Sequence, residues 1–215
     1  EVLISGSGNV AQFALKKCNE LGAKVVTLSD SSGVVYDPDG ISGDKVDYVM
    51  ELKNVRRGRI REYAEEYDVE YVDGGKPWGF DADVALPSAT QNEIEEVDAQ
   101  KLIDNDIIAV GEGANMPSTP EAIKLYQDND ILYAPAKAAN AGGVAVSGLE
   151  MAQNSQRISW SFDEVDKRLH GIMQDIHETC YNTSKKFDDE GNLMLGANIG
   201  GFLKVAKAML DQGVI

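Results

Sequence analysis

The spacing of apolar positions changes twice along the first thirty residues. Residues 2–5 form a short apolar run, positions 10–21 repeat apolar side chains at helical spacing, and residues 24–29 are rich in β-branched side chains. A glycine follows each of the first two segments, and residues 30–33 form a turn cluster. The pattern therefore predicts a strand, a helix and a second strand, which is the βαβ unit of a parallel sheet.

The same alternation continues through the next hundred residues. It predicts strands at residues 70–72, 82–86, 107–110 and 131–134, and helices at residues 45–53, 59–67, 94–103 and 119–126. After Pro135 the strand signals cease, and three helices are predicted, at residues 140–154, 162–186 and 198–212. We therefore expect an α/β fold: a Rossmann-like, doubly wound, mostly parallel sheet with helices on both faces and a helical C-terminal tail.

The charge of the chain narrows the classes of partner. Its formal net charge is −16, from 36 acidic and 20 basic residues. Nucleic-acid binding needs clustered Lys and Arg, so no nucleic-acid partner is expected.

The sequence shows no apolar run near about 18 residues and no secretory leader, and its two lone cysteines fit a reducing compartment. We therefore expect no membrane contact and a cytoplasmic location. Because residue 1 lies at the edge of a predicted strand, we also expect further chain upstream.

One helix carries side chains that would suit a metal ion. His170, His177 and Cys180 recur at helical spacing. A packed or solvated helix face explains these positions equally well, and no fourth ligand is evident. We expect no metal site, and no Ser-His-Asp or Cys-His pattern indicates nucleophilic catalysis.

A glycine motif joins the first predicted strand to the first predicted helix. Gly6-Ser7-Gly8-Asn9-Val10-Ala11 matches the Gly-x-Gly-x-x-Ala variant of the dinucleotide fingerprint. Its glycines permit a tight turn and close approach of the backbone to a pyrophosphate, which the N–H groups at the helix start would bind. Alone, the motif could be only a structural turn. Its place in a βαβ unit, with Asp30 at the end of the next strand, favours cofactor binding.

Two features bear on which cofactor is bound. Asp30 lies where an acidic side chain accepts hydrogen bonds from the adenosine ribose, which would suggest NAD. Ser31 and Ser32 follow it, however, and could donate to a 2′-phosphate. The only dense basic cluster of the chain comprises Lys53, Arg56, Arg57, Arg59 and Arg61. A solvated helix face paired with Glu62 and Glu65 would also explain that cluster. We therefore expect NADP or NAD, with NADP or dual use slightly favoured.

Polar loops follow two further predicted strands. Residues 87–92 contain Gln91 and Asn92, and residues 113–117 contain Asn115. Ligands of open parallel sheets collect at the carboxyl ends of the strands, so these amides are candidates for the nicotinamide side of the site. Ordinary helix-capping turns would have the same composition.

The ordered motifs of the chain resemble a known family. They are Gly-Ser-Gly-Asn-Val-Ala-Gln (6–12), Ser-Asp-Ser-Ser-Gly (29–33), Ala-Thr-Gln-Asn-Glu (89–93), Gly-Ala-Asn-Met-Pro (113–117), Ala-Asn-Ala-Gly-Gly-Val (139–144), Ser-Gly-Leu-Glu-Met-Ala-Gln-Asn (147–154) and Gly-Ala-Asn-Ile (196–199). In this order they resemble the cofactor-binding C-terminal domain of bacterial hexameric glutamate dehydrogenases, along the whole chain. The resemblance implies oxidative deamination of L-glutamate to 2-oxoglutarate and ammonia, with NAD or NADP as hydride acceptor.

The resemblance also implies roles for individual residues. Cofactor contacts carried over by motif are Gly6, Ser7, Gly8, Asn9 and Val10 at the pyrophosphate, Asp30, Ser31, Lys53 and Arg59 at the adenosine ribose or its phosphate, and Ala89, Thr90, Gln91, Asn92, Asn115 and Asn140 toward the nicotinamide. Substrate contacts would be Ser147, which reaches the side-chain carboxylate of the substrate, and the pocket wall at Gly143 and Val144. Without the family, a lone helical serine is merely a surface or capping hydroxyl in most cases.

The family also has parts with no counterpart here. Its substrate-activating lysines and its proton-shuttling acid belong to an N-terminal domain, so we expect no catalytic residue in this chain, which alone should bind cofactor and catalyse nothing. We assign residues 1–135 to the NAD(P)-binding core and residues 136–215 to a helical segment that completes the domain and faces the absent substrate domain. The full-length protein is expected to be a homohexamer. Two alternatives remain: a relative that deaminates leucine, phenylalanine or valine, and a free-standing nucleotide sensor.

Overall fold

The structure is a computed structural model that describes residues 1–213. The chain divides into two compact units, the first comprising residues Glu1–Ala136 and the second beginning at Lys137. All the described strands belong to the first unit, and the second unit is helical.

One seven-stranded sheet forms the centre of the first unit, in the order β4-β3-β2-β1-β5-β6-β7. The strands are β1 Val2–Ile4, β2 Val25–Asp30, β3 Gly33–Tyr36, β4 Glu70–Asp73, β5 Val84–Leu86, β6 Ala109–Gly111 and β7 Leu132–Ala134. Among the described strands, β3 alone runs in the opposite direction to the rest, so its pairs with β2 and β4 are antiparallel and all the other pairs are parallel. From β1 the chain adds β2, β3 and β4 on one side and then β5, β6 and β7 on the other. Doubly wound sheets bind their ligands at such a switch point, which here lies at β1. The expected doubly wound, mostly parallel sheet is therefore confirmed.

Helices connect these strands. In the first unit they are α1 Asn9–Glu20, α2 Asp44–Glu51, α3 Arg61–Tyr67, α4 Glu96–Asp104 and α5 Pro120–Asp128, with a π-helical turn at Leu52–Arg56 and a 3₁₀ turn at Pro77–Gly79. The core packs fully buried side chains of α1, β1 and β2, such as Leu15, Ile4 and Leu28, against those of α2 and α3. These buried contacts fix the start of α1 relative to the strand ends.

The main difference from the sequence prediction is β3. The pattern predicts a turn at residues 30–33 and a loop at residues 36–40, with no strand between them. In the structure β2 and β3 form a hairpin across Ser31 and Ser32, and Val34 and Val35 are fully buried. A strand this short shows too few alternations to be recognised by period alone.

Helix bounds differ more modestly. Helix α4 begins two residues after the predicted start at Ile94, because residue 94 instead forms a parallel bridge with Ser118. The last helix, α9 (Leu193–Gln212), begins five residues before its predicted start at Asn198. Its N-cap is Asn192, whose side-chain oxygen accepts a hydrogen bond from the Leu195 N–H at 2.9 Å.

The helices of the C-terminal segment are α6 Ala136–Ala139, α7 Ala141–Gln156, α8 Phe162–Lys186 and α9 Leu193–Gln212. Helices α8 and α9 pack closely because Gly196 has no side chain: a Cβ there would collide with the backbone of Cys180. Helix α9 is long and apolar enough to cross a membrane, a weak indication that rests on length and composition only. The sequence pattern alone predicts no such segment.

Candidate functional site

The glycine motif forms a tight turn between β1 and α1. Gly6 has a φ of 79°, and its N–H donates to Ser29 Oγ at 2.8 Å, which ties the turn to β2. A Cβ at Gly6 would lie 3.1 Å from the Cα of Ala89. Gly8 is the N-cap of α1, no side chain caps the helix there, and a Cβ at Gly8 would meet nothing within 4 Å. The helix start therefore presents its backbone to open space, as an anion-binding turn requires.

The other motif residues lie around this helix start. Ser7 is buried within the turn, whereas Asn9 and Val10, in the first turn of α1, are exposed.

Two amide side chains hold this turn in place. Gln12 is buried in α1, and its Nε2 donates to the Ser7 carbonyl at 2.8 Å. Asn54 Nδ2 donates to Gln12 Oε1 at 2.9 Å, so the turn is joined to the π-helical segment. No role was predicted for Gln12 or Asn54 from the sequence. The available signal was a polar residue within an apolar helical stretch.

Asp30 ends β2 with both carboxylate oxygens occupied. Oδ1 accepts from the backbone N–H and the hydroxyl of Ser32, at 2.9 and 2.5 Å. Oδ2 accepts from the Ile60 N–H at 2.9 Å and from Lys53 Nζ at 3.3 Å. Burial alone would raise the pKa of Asp30, but the hydrogen bonds from Ser32 and Ile60 and the charge of Lys53 lower it below its ordinary value. The carboxylate is therefore ionised and internally satisfied.

Four of the five residues of the basic cluster form two groups. Lys53 contacts Asp30, and an Arg59 guanidinium nitrogen donates to Ser31 Oγ at 2.8 Å. Arg56 instead forms an ion pair with Glu62, and Arg61 with Asp73. The solvated-face interpretation thus holds for part of the cluster, while Lys53 and Arg59 converge on the end of β2.

The two polar loops are joined to each other. The Asn92 N–H donates to the Met116 carbonyl at 2.9 Å, and the Gly113 N–H donates to the Pro87 carbonyl at 3.0 Å. The loops at the carboxyl ends of β5 and β6, residues 87–92 and 113–117, are therefore joined, and we call them the double loop. Its exposed residues include Ala89, Thr90, Gln91, Asn92 and Asn115.

A cavity of about 280 Å³ lies between the end of β2 and this double loop. It is lined by Ser29, Asp30, Ser31, Gly75, Lys76, Pro77, Ala89, Thr90 and Glu93. The sequence analysis did not assign Gly75, Lys76, Pro77 or Glu93. Their signal was a Gly-Gly-Lys-Pro turn cluster and an acid that follows two amides.

The remaining predicted residues belong to the second unit. Asn140 precedes α7, and Gly143, Val144 and Ser147 lie on that helix with exposed side chains or backbone. Ser147 Oγ donates to the Gly143 carbonyl at 3.3 Å. Among residues 1–213 no group of His, Cys, Asp and Glu is arranged to hold a metal ion.

The doubly wound sheet, with a glycine turn opening a helix at its switch point, defines a Rossmann-like nucleotide-binding fold. The family model for glutamate/leucine/phenylalanine/valine dehydrogenases matches residues 1–213. The chain belongs to this family of amino-acid dehydrogenases.

Known relatives agree on the family. A glutamate dehydrogenase of Bacteroides thetaiotaomicron is 62% identical, over 99% of this chain and 48% of the relative. An NAD(P)-specific glutamate dehydrogenase of Xylanibacter ruminicola is 59% identical over the same shares. The crystal structure of Plasmodium falciparum glutamate dehydrogenase is 46% identical and superimposes with a TM-score of 0.95, covering 100% of this chain and 46% of that one. The chain thus spans about half the length of the relatives it matches.

Proposed function

We propose that this chain is the nucleotide-binding half of a glutamate dehydrogenase and that it binds NADP and NAD at the carboxyl ends of β1 and β2. In the whole protein, the bound nicotinamide would accept hydride as L-glutamate is converted to 2-oxoglutarate and ammonia. The names of the two bacterial relatives support this substrate and both cofactors. The glycine turn supports the place of binding, because it offers uncapped backbone at the start of α1.

The two basic side chains at the end of β2 are the observation that supports NADP binding. Lys53 and Arg59 converge on Asp30 and Ser31, where the adenosine ribose of a dinucleotide lies in this fold. Asp30 is paired with Lys53, and Arg59 donates to Ser31, so a 2′-phosphate at this place would meet two basic side chains and a serine hydroxyl. A ribose hydroxyl would still find Ser31, which is why NAD is also expected to bind.

Calorimetric titration of this chain with NADP⁺ and NAD⁺ tests the proposal. Lys53→Ala and Arg59→Ala should each weaken NADP⁺ binding by about tenfold or more, since each removes a charge-assisted contact, and should change NAD⁺ binding much less. Lys124→Ala, an exposed lysine of α5, is the matched charge control and should change neither. Equal loss for both cofactors would refute the phosphate assignment, and no binding of either would refute the site.

The proposal extends to activity and assembly. The activating groups of the reaction are expected in the half that this chain does not span, so the chain alone should form no reduced cofactor from L-glutamate and NADP⁺. We expect the chain alone to be a monomer or weak dimer in solution, and the whole protein to be a homohexamer. Turnover by the purified chain, or a stable hexamer of it in light scattering, would contradict these points.

The exposed face of α9 is proposed to pack against that other half. Phe202 is 68% exposed and Leu210 82% exposed, and the relatives are about twice as long as this chain. Combining Phe202→Ser with Leu210→Ser should leave the unfolding of this chain unchanged. In the full-length protein it should lower the free energy of unfolding, by about 1.5–3 kcal/mol for each side chain fully buried. An effect seen only in binding to lipid vesicles would instead make α9 a membrane helix.

A further inference from the structure

The carboxylate of Glu93 holds the backbone of one wall of the proposed cofactor site. Its Oε1 accepts from the Ala89 N–H at 3.0 Å and from the Thr90 N–H at 3.2 Å. The side chain of Ser5, the last residue before the Gly6 turn, lies close enough to favour the ionised form of this carboxylate. Glu93 therefore fixes the double loop beside the end of β1.

The segment that Glu93 holds rests directly on the glycine turn. Ser5 Oγ accepts from the Ser88 N–H at 2.8 Å, and a Cβ at Gly6 would lie 3.1 Å from both the Ala89 Cα and the Ser88 carbonyl oxygen. Ala89 and Thr90 also line the 280 Å³ cavity beside Asp30. A shift of this segment would therefore change the glycine turn and the cavity wall together.

We propose that Glu93 is a positioning residue for the cofactor: it fixes the Ala89–Thr90 segment against the Gly6 turn, so that the pyrophosphate site and the cavity keep one geometry. This inference rests on the proposed function, because it assumes that a dinucleotide occupies this cavity. No contact between Glu93 and the reacting atoms is implied.

The surroundings of Glu93 indicate that its charge state matters. Burial raises its pKa above the ordinary glutamate value, although the nearby Ser5 side chain, the N–H groups of Ala89 and Thr90 and the charge of Lys76 oppose the rise. Lys76 Nζ donates to the Glu93 carbonyl at 2.9 Å and forms an ion pair with Asp98 of α4 at 2.6 Å. The other charged or titratable groups that face this region are Asp30 across the cavity and Tyr126 of α5.

The raised pKa of Glu93 determines the direction in which cofactor affinity should change with pH. The ionised carboxylate accepts the backbone N–H donors more strongly than the protonated acid does. As the pH falls from neutral toward the ordinary glutamate value of about 4.3, a group with a raised pKa protonates first. The segment should then loosen, and cofactor affinity should fall in a range where exposed glutamates are still charged.

The experiment measures the Kd of NAD⁺ by calorimetry across this pH range. NAD⁺ is chosen because it lacks the 2′-phosphate, which itself titrates near about pH 6. Glu93→Ala should raise the Kd about tenfold at neutral pH, and should also remove the acid-side loss of affinity. Glu93→Gln keeps an oxygen for both N–H donors, so it should stay within about threefold of the wild type and show a flat pH profile. Glu96→Ala, at an exposed position in the first turn of α4, is the matched control.

The outcomes separate this inference from the function on which it rests. If the wild-type chain binds NAD⁺ and Glu93→Ala binds equally well, the positioning role is wrong while the cofactor site stands. If Glu93→Gln keeps the pH profile of the wild type, another group is responsible and the inference is likewise overturned. If the wild type binds neither NAD⁺ nor NADP⁺, the proposed function fails and this inference fails with it. Thermal unfolding of each variant must match the wild type, and a variant that has lost its fold is replaced by Glu93→Asp, for which weakened binding with an intact fold is expected.

Discussion

The two glycines of the turn should respond very differently to substitution by alanine. Gly6 has a φ of 79°, which costs an L-residue about 1–2 kcal/mol. The new methyl group would also press on Ala89, at 3.1 Å from its Cα, and overpacking of this kind costs about 1–3 kcal/mol. Gly8 has a φ of −82° and open space around its Cβ position, so alanine there should cost only the N-cap preference for glycine over alanine, about 0.5–1 kcal/mol.

The two variants should differ measurably in thermal stability and in NADP⁺ affinity. Gly6→Ala should lower the free energy of unfolding by about 2–5 kcal/mol, a fall of roughly 4–20 °C in thermal midpoint for a chain of this size. Gly8→Ala should lower its thermal midpoint by no more than roughly 4 °C, yet lose at least about tenfold in NADP⁺ affinity, because its methyl group occupies space where the phosphates approach the backbone. Circular dichroism melting and calorimetric titration of both variants measure the two effects separately. The reasoning fails if Gly8→Ala is the less stable variant, or if it binds NADP⁺ like the wild type.

Three further tests probe the polar interactions of the first unit by denaturant unfolding of single variants. Asp37 is fully buried and accepts from the Tyr63 hydroxyl at 2.5 Å, so Asp37→Ala should cost about 3–5 kcal/mol, whereas Tyr63→Phe should cost only about 1 kcal/mol; equal losses would contradict this. The pKa of Asp30 is lowered in the fold, so its ionised form stabilises the protein above the unfolded-state value of about 3.9. The stability advantage of wild type over Asp30→Asn should shrink as the pH falls through the folded-state pKa, and a constant difference would refute this. Glu112 is buried and accepts two backbone N–H donors, so Glu112→Ala should cost about 2–3 kcal/mol, while the exposed Glu121→Ala should change stability by less than about 0.5 kcal/mol.

The sequence predicted those parts of the fold that depend on local period. The strand at residues 2–5 and the helix at residues 10–21 were read almost to their observed bounds, because a buried strand and an amphipathic helix impose different spacings. The hairpin strand β3 was missed, since four residues between two turns show no usable period. It is held by β2 on one side and by β4 on the other, and β4, at residues 70–73, lies too far along the chain to influence a local pattern.

The candidate site shows the same division. The glycine turn was predictable because its conformation requires particular residues at particular positions. The roles of Gln12 and Lys76 were not, because they depend on contacts with Asn54 and Asp98, far along the chain. Glu93 binds N–H groups only three and four residues away, but the importance of that segment depends on its distant contact with Gly6. Long-range polar contacts leave no periodic trace in the sequence.

The structure also bears on how so acidic a chain would hold an anionic cofactor. Asp30 and Glu93 line the same cavity, and their charges would repel phosphates if their oxygens faced the ligand. Instead, both carboxylates accept hydrogen bonds from backbone N–H groups, of Ser32 and Ile60 in one case and of Ala89 and Thr90 in the other. Asp30 also holds Lys53, whose positive charge then lies at the end of β2. The acids at this site therefore order the loops and the cation, which offsets the unfavourable overall field locally.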